Sequence, residues 1–399
     1  MRGVGVTWAR VNVGIGQVAL VLVFAVGLVC CSSEKVGLES TFKGCWPGCS
    51  ERAGGLRFGV IPSDFSMGKY LGLSISGPND SKRSLETIKQ LANGHPFYVH
   101  LYASWATGIT KGLQKSISTY EKNGLYVNLA LRYVPPPNEN GDTSGFAKWV
   151  KQAVLELPNV QIFQVTNEAN VGSSTDSDGY YKDASQALVY GVVDARKVAR
   201  PGQLVGFNWA YSPDDSQTES FWSTLRSKGG ANFSNSVGFV GIDLYPGTYF
   251  PVATSQGVDS LEGDTSQALE TLRNKLMPLA GLGSKVPIFI QETSWPDFIP
   301  PSVSGTEPPT SPQITASKLI SHFLGEQIYA RTPARQAEAF RDIMAGVINS
   351  RSNIALVDWF DLVDAQMGPG DGWGLVTSSY QPKPVFWAMK VEVARYDTN

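Results

Sequence analysis

Short apolar runs, rich in β-branched and aromatic side chains, recur along the chain from Arg57 onward and predict buried strands. Eight such runs are present: Arg57–Asp64, Phe97–Trp105, Tyr126–Val134, Gln161–Glu168, Gln203–Trp209, Val237–Tyr245, Val286–Glu292 and Ile354–Phe360. The segments between them have helical patterning: Asp80–Leu91, Ile109–Asn123, Gly145–Leu157, Asp178–Ala199, Thr265–Leu279, Thr315–Phe323 and Arg335–Ser350. Strands that alternate with helices predict parallel βαβ units. Eight units fit an α/β protein of the (β/α)8 TIM-barrel class, which needs about 250 residues plus insertions.

A doubly wound open sheet is the structural competitor to the barrel. That fold usually carries a glycine-rich phosphate loop after its first strand, and the segment Ile61–Asp64 is not such a loop. The predicted strand-to-helix connections are long, notably Pro246–Asp264 and Pro296–Pro312, whereas the helix-to-strand connections are short. In a barrel the strand-to-helix loops form the face that holds the active site. The loop Pro296–Pro312 is interpreted either as a rim or lid of that face or as a solvent-exposed insertion.

The N-terminal segment predicts export. Two arginines precede the apolar run Val18–Val29, which is typical of a secretory signal or of an uncleaved membrane anchor over residues 1–30. The following Leu28-Val29-Cys30-Cys31 resembles a bacterial lipoprotein lipobox, with Cys31 as the lipidated residue, although Cys30 stands where Gly, Ala or Ser is usual. Lipidation with a membrane tether, plain cleavage with secretion, and a retained anchor all stay open.

A short tether, residues 31–55, is expected between the signal and the barrel. It contains Cys45 and Cys49 in a C-x3-C arrangement, and a local disulfide is the natural interpretation in an exported protein. Two free thiols in a flexible tether are the alternative. The barrel is predicted over residues 56–392, as a single domain and a monomer.

Composition excludes several functional classes. The chain is 42% hydrophobic and 17% charged with a formal net charge of −2, so it lacks the basic footprint of nucleic-acid binding. Its three histidines, His95, His100 and His322, do not have metal-ligand spacing, so neither a metal nor another cofactor is expected. All four cysteines precede position 50, and no G-x-S-x-G motif occurs, which argues against a cysteine nucleophile and a serine hydrolase.

Two of the predicted strands end in the same way, with an amide followed by a glutamate. The fourth strand ends in Asn167-Glu168 and the seventh in Gln291-Glu292, so both carboxylates are expected at the barrel mouth. Two carboxylates about 5–5.5 Å apart are the arrangement for glycoside hydrolysis with retention. One must be protonated to donate to the leaving oxygen and the other ionised to attack the anomeric carbon.

With these motifs the chain resembles the clan A glycoside hydrolases, over roughly residues 57–390. The resemblance implies a retaining barrel enzyme in which Glu168 is the general acid/base and Glu292 the nucleophile. It also implies that Asn167 binds the 2-hydroxyl of the sugar. Ala169 departs from the pattern, because many relatives have Pro there. The family within the clan is not assigned.

The resemblance implies roles for two aromatic residues. Tyr245 ends the sixth strand, where such enzymes often place a Tyr that donates a hydrogen bond to the nucleophile; packing against the strand ends is the alternative. Trp359 ends the eighth strand and resembles the aromatic platform under the sugar.

Four further residues lie at strand ends. Trp295 and Trp209 are expected either to stack on a sugar face or to cap the core, and Asn208 is a candidate hydrogen-bonding group for substrate. Arg132 is charged at the end of an apolar strand and needs a partner there. It either orients one of the glutamates or forms a plain structural ion pair.

The leading hypothesis is an exported, retaining β-glycosidase or endo-β-glycanase that acts on oligo- or polysaccharides. A non-catalytic carbohydrate-binding barrel tethered to the cell surface is the alternative from another functional class. The sugar, its linkage, and endo or exo attack stay open.

Overall fold

The computed structural model describes residues 55–62, 69–70, 73–74, 81–172, 177–212, 215–248, 261–297, 331–364 and 372–396. The predicted signal, the lipidation site Cys31 and the cysteine pair Cys45 and Cys49 lie outside these residues, as do the predicted helix Thr315–Phe323 and most of the loop Pro296–Pro312. No helix within the described ranges combines the length and apolar character that spanning a membrane requires.

The predicted barrel is confirmed: eight parallel strands close on themselves in sequential order, with the first strand pairing with the last. They are β1 (Arg57–Val60), β2 (Phe97–Ser104), β3 (Tyr126–Arg132), β4 (Ile162–Val165), β5 (Leu204–Ala210), β6 (Phe239–Leu244), β7 (Ile288–Thr293) and β8 (Ile354–Trp359). Each lies within one of the predicted runs or extends beyond it by a single residue. A short antiparallel hairpin outside the barrel pairs Lys69–Tyr70 with Leu73–Ser74.

Helices follow the strands and cover the barrel. The described ones are α1 (Ser81–Ala92), α2 (Lys111–Lys122), α3 (Thr143–Glu156), α4 (Ala184–Val198), α5 (Asp215–Ser234), α6 (Leu261–Thr271), α7 (Pro333–Asn349) and α8 (Pro384–Tyr396). A π-helical turn, Leu272–Leu276, and a short segment, Met277–Leu279, continue α6. Two differences from the predicted pattern are that α5 and α8 were not expected, and that the helix expected from Asp178 begins at Ala184 after a 3₁₀ turn, Asp178–Tyr180.

The barrel interior is apolar at one end and polar in the middle. A cluster of buried residues near the strand starts, Tyr98, Ile162, Phe239, Phe289 and Leu356, closes the N-terminal end. The next layer contains His100, Asn128, Gln291 and Asp358, all fully buried. Barrels of this class usually fill such layers with Val, Ile and Leu, so the polar layer indicates that this level of the barrel supports the site above it.

Hydrogen bonds connect the polar layer. Asn128 Nδ2 donates to Gln291 Oε1 at 2.5 Å and to Asp358 Oδ2 at 2.8 Å, and His100 Nδ1 donates to the Gln291 carbonyl oxygen at 3.1 Å. Burial lowers the pKa of His100 to about 3, and it raises the pKa of Asp358 well above its ordinary value. His100 is therefore uncharged near neutral pH, and its hydrogen bond holds the peptide bond that joins Gln291 to Glu292.

A buried lysine links the loops that follow β7 and β8. Lys383 is only 4% exposed, and its Nζ lies 2.9 Å from Asp297 Oδ2 and 2.9 Å from Asp364 Oδ1. The same ammonium donates to the Gly372 carbonyl oxygen at 3.2 Å. Burial raises the pKa of Asp364 to about 6, although the charge of Lys383 opposes the rise.

Replacing Lys383 by methionine is expected to lower the free energy of unfolding by about 3–5 kcal/mol, because it leaves the buried Asp297 and the partly buried Asp364 without this cation. Urea denaturation measures the loss. The matched control is Lys82→Met, since Lys82 is exposed and lies 4.0 Å from Glu86; its loss is expected below about 1 kcal/mol. Equal losses in both variants would contradict the structural role of the buried cluster.

Candidate active site

Glu168 lies beyond the end of the strand that precedes it in the sequence. Strand β4 ends at Val165, and both Thr166 (φ 66°) and Glu168 (φ 51°) adopt left-handed backbone conformations that non-glycine residues seldom use. The sequence predicted that the strand continues to Glu168. The backbone N–H of Glu168 donates to Asn208 Oδ1 at 2.9 Å, which fixes the carboxylate-bearing residue to the end of the neighbouring strand β5.

A single buried carboxylate, Asp178, braces this backbone. Its Oδ2 accepts from the backbone N–H groups of Tyr133 at 2.6 Å and Asn167 at 2.8 Å. Its Oδ1 lies 3.1 Å from both Nε and a terminal nitrogen of Arg132. The ion pair, one of the two roles left open for Arg132, is therefore present and joins the ends of β3 and β4, and the orientation of a glutamate by Arg132 stays a prediction. Sequence reasoning did not identify Asp178.

The pKa of Glu168 is raised to about 7. Burial is the largest cause and the charge of Glu292 the second. The Ser177 hydroxyl, which donates to Glu168 Oε2 at 2.5 Å, and the nearby Arg132 both oppose the rise. Glu168 is thus protonated in a large fraction of molecules at neutral pH.

Glu292 lies in β7, is 5% exposed, and accepts a hydrogen bond on each carboxylate oxygen. Tyr102 donates to Oε1 at 2.5 Å and Tyr245 donates to Oε2 at 2.6 Å. Burial raises the pKa of Glu292, and the two tyrosine hydrogen bonds and Arg132 oppose this. Hydrogen bonds to both oxygens favour the charged form, so Glu292 is the member of the glutamate pair that ionises first.

Two polar residues connect the glutamates. Asn208 Nδ2 donates to Asp243 Oδ2 at 2.5 Å and to Asn167 Oδ1 at 3.0 Å, and Asp243 stands beside Glu292 in the register of β6 and β7. Burial, and then the charge of Glu292, raise the pKa of Asp243 well above its ordinary value, which favours its neutral form. The structure therefore brings Glu168 and Glu292 to the same face of the barrel, as the sequence predicted.

An aromatic wall, composed of Tyr245, Phe360 and Trp373, stands beside Glu292. Its rings meet edge to face, with centroids 6.2 Å apart for Tyr245 and Phe360, 5.6 Å for Tyr245 and Trp373, and 5.8 Å for Phe360 and Trp373. The peptide bond after Phe360 is cis. Neither Phe360 nor Trp373 was assigned to the site from sequence.

Three tryptophans that were candidates for sugar stacking are buried in the packing of the protein instead. Trp359 is fully buried against Phe340 of α7, and Trp209 is fully buried against Trp222 of α5. Both point away from the barrel axis because strand side chains alternate in direction. Trp295 is buried, and the Arg331 guanidinium stacks over its ring at 3.9 Å. The platform expected of Trp359, and the stacking alternative for Trp209 and Trp295, are thus corrected; all three are packing residues.

The two asparagines have different outcomes: the role expected of Asn208 changes, and that of Asn167 stays untested. Asn208 is fully buried and uses both ends of its amide on protein partners, so the expected hydrogen bond to substrate is corrected to a structural one. Asn167 Oδ1 accepts from Gln164 as well as from Asn208. No hydrogen bond from Asn167 Nδ2 is made within the described part of the chain, and its binding to a sugar hydroxyl stays a prediction.

Metal ligands do not converge at the site: among the residues that the structure describes, no group of three or more His, Cys, Asp or Glu side chains has the arrangement of a metal site. The chemistry available there is that of two carboxyl groups of unequal proton affinity, supported by phenols and faced by aromatic rings.

Comparisons with known proteins give a consistent result at the level of fold. No protein-family model matches the chain, and no curated protein matches it in sequence. Among solved structures, it is similar to a GH5_18 protein from Streptomyces cattleya, in complex with Manβ1-4GlcNAc, with a TM-score of 0.57 and 17% identity over 86% of this chain and 81% of the other. A GH5_18 protein from Bifidobacterium longum, also in complex with Manβ1-4GlcNAc, gives 0.55 and 16% over 86% and 79%.

A family 39 glycoside hydrolase from Bacteroides cellulosilyticus WH2 is a further structural neighbour, with a TM-score of 0.55 and 14% identity. The match covers 86% of this chain and 64% of that protein's length. These neighbours are glycoside hydrolases that share the barrel, which agrees with the resemblance to clan A. At such identities the likeness shows the fold alone, and a family within the clan is not assigned.

Proposed function

We propose that this protein is a retaining glycoside hydrolase that cleaves β-linked glycosides or polysaccharides by double displacement. One observation carries the proposal: two neighbouring glutamates, of which Glu292 is buried and Glu168 half-buried, differ in hydrogen bonding. Glu292 accepts from Tyr102 and Tyr245, whereas Glu168 accepts from Ser177 among the residues that the structure describes, and its pKa is raised to about 7. Pairs of titratable groups whose environments separate their pKa values are the basis of acid and nucleophile assignments.

In the first step of this proposal, Glu168 donates its proton to the glycosidic oxygen while an oxygen of Glu292 attacks the anomeric carbon. The glycosidic bond breaks, the alcohol leaves, and the sugar is esterified to Glu292. In the second step, Glu168, now ionised, removes a proton from water as that water attacks the same carbon and releases Glu292. Two inversions give net retention.

Other residues of the site have roles in the same proposed mechanism. Tyr102 and Tyr245 fix the orientation of Glu292, and the raised pKa of Asp243 favours its uncharged form beside that carboxylate. Phe360 takes the place at the end of β8 that was expected for Trp359, within the aromatic wall beside the sugar. Asn167 Nδ2 supplies the donor for the 2-hydroxyl. Export is proposed as well, on the sequence of residues 1–31 alone.

Hydrolysis of a panel of β-linked glycosides and glycans, followed by proton NMR of the first sugar released, tests the function. The expected result is turnover of at least one substrate with the β-anomer formed first. The double variant Glu168→Gln/Glu292→Gln serves as the control against contaminating activity. Formation of the α-anomer first would overturn the retaining mechanism, and binding without turnover across the panel would favour the non-catalytic carbohydrate-binding alternative.

A further inference from the structure

Tyr180 is a large, exposed aromatic residue close to Glu168. The residue is 53% exposed, although Ser177 and Asp178, which precede it in the same turn, are buried. A single exposed aromatic is ordinary on a protein surface and indicates nothing by itself. Its position on the loop that holds the proposed acid is what distinguishes it.

That loop is bound directly to Glu168. Ser177 Oγ donates to Glu168 Oε2 at 2.5 Å, and the Gly179 N–H donates to the Glu168 carbonyl oxygen at 3.3 Å. The Tyr180 N–H donates to the Ser177 carbonyl oxygen at 3.2 Å within the 3₁₀ turn. Three residues of such a turn advance about 6 Å, so the backbone of Tyr180 lies about one sugar length from the hydroxyl that contacts the acid.

The ring of Tyr180 is also supported from the side. It meets the ring of Tyr181 edge to face, with centroids 5.4 Å apart at 89°, and Tyr181 meets Tyr133 in the same way at 6.2 Å. The Tyr133 hydroxyl donates to the Lys182 carbonyl oxygen at 3.0 Å, which fastens the next part of the loop. An aromatic ring held in place binds a ligand with less loss of conformational entropy than a mobile one.

We propose that Tyr180 is the stacking residue of a leaving-group subsite, and that the leaving half of the natural substrate is a sugar residue rather than a small alcohol. The inference rests on the proposed function, since the acid must lie on the side from which the leaving oxygen departs. Tyr180 is on that side, because its loop contacts Glu168, whereas the aromatic wall lies beside Glu292. The apolar face of a phenol can stack on the C–H face of a pyranose, and its hydroxyl can form hydrogen bonds with the hydroxyl groups of the sugar.

Two substrates of the same sugar separate this subsite from the rest of the site. One is the β-linked oligosaccharide that the wild-type protein cleaves, and the other is the corresponding β-glycosyl fluoride, which carries no sugar on the leaving side. For Tyr180→Ala, kcat/KM for the oligosaccharide is expected to fall about tenfold, equivalent to about 1.4 kcal/mol. The value for the fluoride is expected to stay unchanged, and Tyr180→Phe is expected to keep most of the oligosaccharide activity because it keeps the ring.

Tyr190→Ala is the matched control, because Tyr190 is 43% exposed but lies in α4, on the helical layer; it is expected to alter neither value. Equal losses on both substrates in Tyr180→Ala would overturn the inference, since they would assign Tyr180 to holding Glu168. Undiminished hydrolysis of the oligosaccharide would overturn it as well. A wild-type protein that hydrolyses neither substrate would instead refute the proposed function, and the inference with it.

Discussion

Replacing Glu292 by alanine is expected to lower kcat on a β-glycoside by about 10⁴–10⁶-fold, or about 5–8 kcal/mol of transition-state stabilisation. The variant has no group that can form the covalent intermediate, and Tyr102 and Tyr245 lose the carboxylate to which they donate. Azide, a small anionic nucleophile, is expected to enter the space left by the side chain and restore turnover. Because only one displacement then occurs, the glycosyl azide formed has the α configuration, which NMR identifies.

The control for that variant is Glu156→Ala, which removes an exposed carboxylate at the end of α3 and is expected to retain wild-type activity. Circular dichroism of both variants checks that each one folds. Retention of full activity in Glu292→Ala, or an azide product of β configuration, would contradict the assignment of Glu292 as nucleophile.

Replacing Glu168 by glutamine is expected to reduce kcat/KM about 10²–10⁴-fold on substrates whose leaving group needs protonation. The loss is expected to be slight on the glycosyl fluoride, because fluoride departs without a proton. The pH profile gives a second readout. Wild-type activity is expected to fall as pH rises through about 7, where Glu168 loses its proton, and the variant is expected to lack this alkaline limb because glutamine does not titrate.

Ser177→Ala is the matched variant for the pH profile. The Ser177 hydroxyl donates to Glu168 and lowers its pKa, so its removal raises that pKa. The protonated acid then persists to higher pH, and the alkaline limb of kcat/KM moves upward rather than disappearing. An alkaline limb that survives in Glu168→Gln, or one that moves downward in Ser177→Ala, would contradict the role of Glu168.

The barrel could be predicted from sequence because each strand is an apolar run flanked by amphipathic segments, a pattern that does not depend on distant contacts. The ends of the strands were less predictable. The run through Glu168 looks like a continuous strand, but Thr166 turns left-handed and ends β4 at Val165. Such a turn has no clear sequence signal when neither residue is glycine.

The two unpredicted helices have separate explanations. The sequence of α5 is mostly polar and contains Gly229 and Gly230, and the helix is broken at Gly230, where φ is 53°; no single apolar stripe runs along it. For α8 a signal was present, since Pro384 stands at its first position, which is a favoured place for proline in a helix.

The carboxylate pair was accessible to sequence reasoning, but the groups that tune it were not. Tyr102 contacts Glu292 across 190 positions of sequence, and Asp178 contacts Arg132 across 46, so neither contact has a local pattern. The aromatic platform depends on strand register. A shift of one residue reverses the side that a residue faces, and β8 turns Asp358 inward and Trp359 outward.

The left-handed backbone at Thr166 and Glu168 has a consequence for how this protein can change over generations. Each such conformation costs a residue with a side chain about 1–2 kcal/mol, and glycine would relieve it at either place. Selection for stability alone would therefore favour glycine at both positions, and the presence of Thr166 and Glu168 instead leaves the chain a smaller margin of stability.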